Sequence, residues 1–209
     1  MKIYYLRHTD ADDDRRDSYG GVCDDPLVDD GRAYASKVAN FLSGKNIGAI
    51  FTSPYLRAKE TGEIIQKVIS CPLVEVYNLR ERNSYGVLSG IEQSRAKTLF
   101  PEIHLRILQM KKDGTKPSKS PETLPGAEIY LDLLLRASDA IRLVLREATL
   151  MKVDTVAVVT HGGFSWALFK DVLNQTVDLE KGEVVVLNGN TLDDLTIDKA
   201  ETEAIKKEL

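Results

Sequence analysis

An α/β sandwich, with a mostly parallel central sheet between two layers of helices and a small inserted cap, is the fold this sequence predicts. Short, β-rich apolar runs alternate with amphipathic helical patterns, the order that builds a parallel sheet covered on both faces. That alternation is interrupted once, between about Asn78 and Leu124, by a less regular stretch that reads as a cap or loop insertion. The length of 209 residues suits one compact domain, so residues 1–209 are taken as a single unit carrying that insertion.

Lys2 to Leu6 (KIYYL) is short and apolar and reads as a buried strand. Asp30 precedes GRAYASKVANFLSG, where Ala33, Val38, Phe41 and Leu42 recur at helical spacing before Gly44 closes the segment. IGAIFTS, from Ile47, is a second strand ending on the turn residues of SPYL, and AKETGEIIQKVIS a second amphipathic helix. PLVEVY makes a third strand. In the irregular middle, KKDGTKPSKSPET is rich in Lys, Pro and Ser, the chemistry of a surface loop. AEIYLDLLLRASDAIRLVLREAT is the longest helical pattern, TVAVVTHGG a strand broken by a double glycine, and FSWALFKDVL a helix. Turn chemistry at Leu179 to Gly182 precedes late strands in EVVVLNGNTL and DDLTID, and ETEAIKKEL reads as a terminal helix.

Composition narrows the function classes. A net charge of -4 lacks the broad positive field that nucleic acids reward, so no nucleic-acid partner is expected. No stretch approaches the ~20 apolar residues of a membrane span, and the first residues do not resemble a secretory signal. Cys23 and Cys71 are too few and too isolated for a disulfide framework or a metal knuckle, the pattern of a reducing compartment. The expected address is the cytoplasm.

Three strand endings share a character: YYLRHT, IFTSPYLR and VVTHGG. In an open α/β sheet, ligands bind outside the carboxyl ends of the strands. If these strands are neighbours, Arg7, His8, Arg57 and His161 meet in one crevice and form an anion site. Arginine matches phosphate oxygens in pairs and stays charged. A histidine held between arginines is biased toward the neutral ring, which is a nucleophile. That set suits in-line attack on a phosphoryl group. Glu81, in NLRERNSYGVLSG, is the candidate general acid for the leaving oxygen.

LRHT, DDPLVDDGRAYA, TSPYLRAKET, LRERNSYGVLSG, PGAE and VVTHGG, in that order, resemble the histidine phosphatase superfamily in its phosphoglycerate mutase-like branch, over roughly the first 165 residues. The resemblance implies an α/β sandwich with a cap formed by insertions. It implies that His8 is the nucleophile forming a phosphohistidine, that Arg7, Arg57 and His161 bind the transferring group, and that Glu81 is the proton donor. Thr9 and Gly162 complete the expected phosphate-binding set, and neither a metal nor another cofactor is implied.

The sequence also departs from that pattern. Thr9 follows His8 where the family usually has Gly; a Thr hydroxyl can serve a phosphate oxygen, at some loss of backbone freedom. The run Asp10, Asp12, Asp13 and Asp14 is unusual, since Asp14 stands where a polar Asn is common and needs Arg15 or Arg16 to neutralise it. Glu81 and Arg82 are separated from Tyr85 and Gly86 by one residue more than in the cofactor-dependent mutases, and no paired-arginine stretch for a second phosphate is found. These departures favour a metal-independent phosphomonoester hydrolase. Phosphoglycerate mutase and a non-catalytic phosphate-binding module are the alternatives. The partner is a phosphorylated substrate, with sugar phosphates, nucleotides and phosphoproteins all open, and the oligomeric state is not specified.

Each residue also has an ordinary reading. Arg57 can pair with Glu60 or Glu63 on its own helix, for well under ~1 kcal/mol. Glu81 can be an ion-pair partner of Arg80 or Arg82, and His161 simply a residue at a helix N-terminus, itself an anion-attracting place. His104 reads as a surface or core-edge histidine, Trp166 and Phe169 as core, the Asp10 to Asp14 run as a solvated loop and not a metal site, and Lys111 to Lys119 as a loop that can lie over the pocket.

Overall fold

The computed structural model describes residues 1–12 and 17–209. A six-stranded sheet has the order β3-β2-β4-β1-β5-β6, with β1 at Lys2–Arg7, β2 at Ala49–Thr52, β3 at Leu73–Glu75, β4 at Thr155–Thr160, β5 at Val184–Asn188 and β6 at Thr196–Ile197. β1 pairs parallel with β4, and β2 parallel with both β3 and β4; β5 runs antiparallel to β1, and β6 to β5. The expected α/β sandwich is the observed architecture.

Side chains of a strand alternate between faces. Ile3 and Tyr5 enter one core with Phe51, Val158 and the apolar stripe of α5 (Tyr130–Leu150). Tyr4 and Leu6 enter the opposite core with residues of α1 (Asp29–Leu42), α2 (Leu56–Ile69) and α7 (Lys199–Glu208). With both faces covered, the central strands are buried along almost their whole length, which is why they read as unbroken apolar runs.

Several expectations need correction. In α1 the inward residues are Gly31, Ala35, Val38, Ala39 and Leu42, while Ala33 is exposed, because the helix axis turns the 35/38/39/42 stripe toward the sheet. Gly44 is not the left-handed residue that ends this segment; Asn46 is, at φ 54°. The helix expected over FSWALFKDVL begins earlier, at Gly162, as α6 (Gly162–Ala167) and then widens into a π turn over Leu168–Val172. Ala167, Leu168 and Phe169, where the widening begins, are all buried.

The middle is more ordered than a loop. It contains α3 (Gln93–Leu99) and α4 (Pro101–Lys112), the latter starting on a proline whose fixed φ suits a first helical turn. Ile107 and Met110 of α4, Ala96 of α3, Leu88, Leu124 and Tyr19 close a small core of their own. His104 belongs to the edge of that cluster, with its Nδ1 2.8 Å from the Tyr19 hydroxyl. The segment after β1 is thereby tied into the cap, and Ser18 bridges to Glu92.

Candidate active site

The register of the sheet decides which residues meet. Arg7 lies opposite Thr160, so the next residues, His8 and His161, leave neighbouring strands at the same level. The His8 amide donates to the Thr160 carbonyl at 2.9 Å, and the Ser53 amide to the Val159 carbonyl at 3.0 Å. Three adjacent strands thus end on one line, and α2 starts immediately after with Arg57 in its first turn.

Arg7, His8, Arg57 and Glu81 line one cleft of about 290 Å³. His8 is 3% exposed, and its Nδ1 lies 2.7 Å from the Thr9 carbonyl oxygen. A carbonyl only accepts, so Nδ1 carries the ring proton and Nε2 keeps its lone pair. Arg57 Nε–H donates to that Nε2 at 3.2 Å, and the rest of its guanidinium is held by the carbonyls of Cys23 (2.5 Å) and Gly21 (3.1 Å). Burial first, then the Arg57 and Arg7 charges, hold the His8 pKa well below the ordinary histidine value. The ring is neutral at neutral pH.

His161 is fully buried behind His8, with ring centroids 5.1 Å apart. Its Nε2 is 2.7 Å from Ser53 Oγ, and its Nδ1 has no protein partner. Burial and the positive charge of Arg57 lead its pKa down as well. Arg7 donates from Nη1 to the Leu179 carbonyl at 3.2 Å, while its buried Nε has no protein partner. Gly162 lies against this guanidinium: a Cβ at that position would sit 3.0 Å from Arg7 Cζ, so a larger residue there would press on the Arg7 side chain.

Glu81 is held by backbone. Its Oε1 accepts from the Phe164 amide (2.9 Å) and the Arg82 amide (2.7 Å), and Oε2 from the Gly163 amide (3.0 Å). The N-terminal amides of α6 are therefore spent on this carboxylate, the anion that the helix start attracts. Neither Arg80 nor Arg82 pairs with Glu81 through its side chain: Arg80 lies 3.8 Å from Glu128, and Arg82 donates to the Pro117 carbonyl at 3.2 Å. Nor does Arg57 pair with Glu60 or Glu63 on its helix: its N–H groups go to His8 and to the carbonyls of Cys23 and Gly21, and Glu60 takes Arg32 at 3.1 Å.

Thr9 is buried and does not line the cleft; its amide donates to Thr61 Oγ1 at 3.3 Å, and its hydroxyl lies 3.5 Å from the same oxygen. Gly162 likewise contributes through the room it leaves for Arg7. Of the acidic run, Asp10 pairs with Lys181 at 2.9 Å, and among the described residues no group of His, Cys, Asp and Glu has the arrangement of a metal site. Asp13, Asp14, Arg15 and Arg16, on which the expected neutralisation depends, lie outside the described residues.

Residues that sequence reasoning did not single out complete the lining. Ser84 and Tyr85 come from the glutamate motif, Gly20 and Gly21 from the segment after β1, and Ser118 from the KPSKS stretch, which does reach the cleft. Lys119 beside it is paired with Asp178. Arg82 is the largest surprise. Fully buried, it donates from Nη1 to the carbonyls of Pro117 (3.2 Å) and Ser120 and from Nη2 to that of Glu122 (3.3 Å), and burial lowers its pKa from the ordinary arginine value.

The strand-end cluster of two arginines and two histidines on this fold is an anion-attracting set, and comparison supplies the family. The family model described as "Histidine phosphatase superfamily (branch 1)" matches residues 3–199, and the chain belongs to that superfamily. Similar curated proteins include the metal-independent phosphoserine phosphatase of Arabidopsis thaliana, 30% identical over 58% of this chain and 47% of the relative. The probable phosphoglycerate mutase GpmB of Photorhabdus laumondii is 31% identical over 47% of this chain and 50% of its own. The chain spans about half the length of the curated relatives it matches. Among solved structures, Bacillus stearothermophilus YhfR superposes with a TM-score of 0.74 at 22% identity, covering 94% of this chain and 95% of that one. Phosphoglycerate mutase from Bacillus anthracis superposes with a TM-score of 0.73 at 20% identity, covering 100% and 96%.

Proposed function

We propose that the protein is a phosphatase that hydrolyses phosphomonoesters through a phosphohistidine on His8, without a metal. The observation that carries this is the fixed tautomer of a neutral, buried His8, whose Nε2 lone pair faces a cleft bearing two guanidinium groups and one carboxyl group. In the first step Nε2 forms a bond to phosphorus as the ester P–O bond breaks, and the departing oxygen takes the proton of a neutral Glu81 carboxyl group from Oε2, the oxygen with a single amide partner, leaving the carboxylate on the α6 amides. The imidazolium so formed keeps its Nδ1–H on the Thr9 carbonyl. In the second step a water oxygen attacks phosphorus, gives its proton to Glu81, and the N–P bond breaks to restore the ring.

Arg57 N–H groups turn from Nε2 to the phosphoryl oxygens as the substrate enters, and Arg7 Nε and His161 Nδ1, both buried donors or acceptors without a protein partner, find one there. An unpaired buried polar group costs about 1–3 kcal/mol, so substrate that satisfies these atoms is bound the more strongly. Guanidinium and imidazole groups supply the charge stabilisation that a metal gives elsewhere. The cleft volume favours a small phosphorylated molecule, and the net charge of -4 argues against nucleic acid. Cys23 and Cys71 are both free thiols, which supports a cytoplasmic location; among the described residues no helix is long and apolar enough to cross a membrane.

The test is turnover of 4-nitrophenyl phosphate together with trapping of an acid-labile, base-stable phosphoenzyme. His8→Ala is expected to lose at least ~10³-fold in kcat with its far-UV circular dichroism unchanged. Undiminished hydrolysis by that variant removes the mechanism. Mutase-named relatives favour a second reading, in which 3-phosphoglycerate with a trace of the bisphosphate gives 2-phosphoglycerate faster than inorganic phosphate.

A further inference from the structure

The PGAE motif stands in the sequence without a chemical role, and the structure brings its glutamate to a buried arginine behind the cleft. Arg136 interrupts the apolar stripe of α5, between Leu133 and Ala137, where a leucine or methionine would pack. It is 7% exposed. All five of its N–H donors are used: Nε and Nη2 grip the two carboxylate oxygens of Glu128 (2.5 and 2.8 Å), Nη1 reaches the carbonyls of Asn78 and Arg80 (both 2.8 Å), and Nη2 that of Glu81 (3.3 Å).

Buried ion pairs are poor stabilisers compared with well-packed apolar groups, so the core alone gives little reason for this one. Its geometry gives a better reason, because three of the five bonds hold the short segment that presents Glu81. The other side of the same segment is held by the PGAE turn itself. Glu128 N–H donates to the Asn83 carbonyl (2.9 Å), Val87 N–H to that of Pro125 (3.0 Å), and Asn83 Nδ2 to that of Gly126 (3.2 Å). Contact is so close at Gly86, at φ 54°, that a Cβ would lie 2.0 Å from the Pro125 oxygen. The Arg136 guanidinium also lies over the ring of Phe164, whose amide donates to the Glu81 carboxylate (Cζ to centroid 5.4 Å).

We propose that Arg136 and Glu128 are positioning residues that fix where the Glu81 carboxyl group meets the leaving oxygen. Arg136 sets the backbone of Glu81 from behind while α6 sets its carboxylate from in front. The proposal rests on the reading of Glu81 as proton donor, and its test separates the two. A leaving group that departs without help, as in 2,4-dinitrophenyl phosphate, has little need of the acid, whereas phenyl phosphate and glycerol 2-phosphate depend on it.

In Arg136→Met, Arg136→Lys and Glu128→Gln, kcat/KM for phenyl phosphate and glycerol 2-phosphate is expected to fall roughly 10- to 100-fold, part of the ~10²–10⁴ a positioned acid contributes. With 2,4-dinitrophenyl phosphate it should stay within about twofold. Hydrogen exchange should quicken in segments 78–84 and 162–165 of Arg136→Met. If the methionine variant does not fold, the lysine and glutamine variants, which keep a polar group in place, carry both measurements. Glu81→Gln is run beside them. When it shows the same selective loss, a uniform loss or no loss in the Arg136 and Glu128 variants overturns the positioning role. When Glu81→Gln shows no selectivity the proton-donor reading falls and the positioning role falls with it, whatever the exchange shows.

Discussion

The two halves of the cleft are built by different forces. His8, Arg7 and His161 stand at the ends of hydrogen-bonded parallel strands, where the ladder that makes the sheet also sets the spacing of the side chains. Glu81, Ser84, Tyr85 and Ser118 stand on irregular backbone with no ladder beneath it. There, two buried arginines take over, Arg136 for the residues around 78–81 and Arg82 for those at 117–122. One half inherits its geometry from secondary structure, the other from guanidinium-to-carbonyl bonds that join distant segments. The second kind of support is more vulnerable to a single substitution.

That contrast can be broken first at Arg57, which belongs to the strand-end half yet also depends on the carbonyls of Gly21 and Cys23. In Arg57→Lys a single ammonium replaces a fork that serves two carbonyls and the His8 ring, and kcat/KM for 4-nitrophenyl phosphate is expected to drop about 10²- to 10³-fold, with thermal stability little changed. Arg82→Met tests the cap half. The carbonyls of Pro117, Ser120 and Glu122 lose their donor, and stability should fall by about 3 kcal/mol, read from urea unfolding followed by tyrosine fluorescence. Limited proteolysis should then cut between residues 113 and 124 before it cuts the sheet.

Acid sharpens the comparison, because both buried histidines belong to the strand-end half. Their pKa values in the folded protein lie well below 6.5, the ordinary value that the unfolded chain regains. As pH falls below about 6.5 the unfolded chain takes up protons that the fold refuses, so stability declines, by up to about 1.4 kcal/mol per pH unit for each ring. His161→Asn should show a shallower decline than the parent in urea melts between pH 7 and 5. Over that window the parent's kcat/KM should not show the loss expected of a histidine titrating at 6.5. The smallest effect belongs to the pair of Lys119 and Asp178, where the aspartate is 67% exposed: Asp178→Asn should change stability by well under ~1 kcal/mol and leave hydrolysis of a good leaving group intact.

The same contrast governs what could be read from the sequence. The strand ends were legible because KIYYL, IFT and TVAVVT are apolar runs that stop at polar residues, and the sheet register then carries His8 to His161 without further information. α4 could also have been found: Pro101 at a helix start, followed by His104, Ile107 and Met110 at three-residue spacing, is a helical signature inside what reads as a loop. Arg82 and Arg136 are different. Their partners lie 35 to 40 and 55 to 58 residues away, apart from Glu128, and a charged residue at an inward position of α5 was the one sign that something there needed holding. Glu81 was legible as a carboxyl near the site, but its engagement by α6, 82 residues further on, depends on tertiary approach.

That engagement has an evolutionary implication. His161 starts the helix whose first amides hold Glu81, so under the proposed mechanism the group assigned to the phosphoryl oxygens and the group assigned to the departing alcohol are tied to one short element. Under that mechanism, substitution in the KPSKS stretch, which reaches the cleft at Ser118, can reshape the chamber for a new alcohol while the span from His8 Nε2 to the Glu81 carboxyl group stays as it was. A lineage built this way can change its diet without relearning its chemistry.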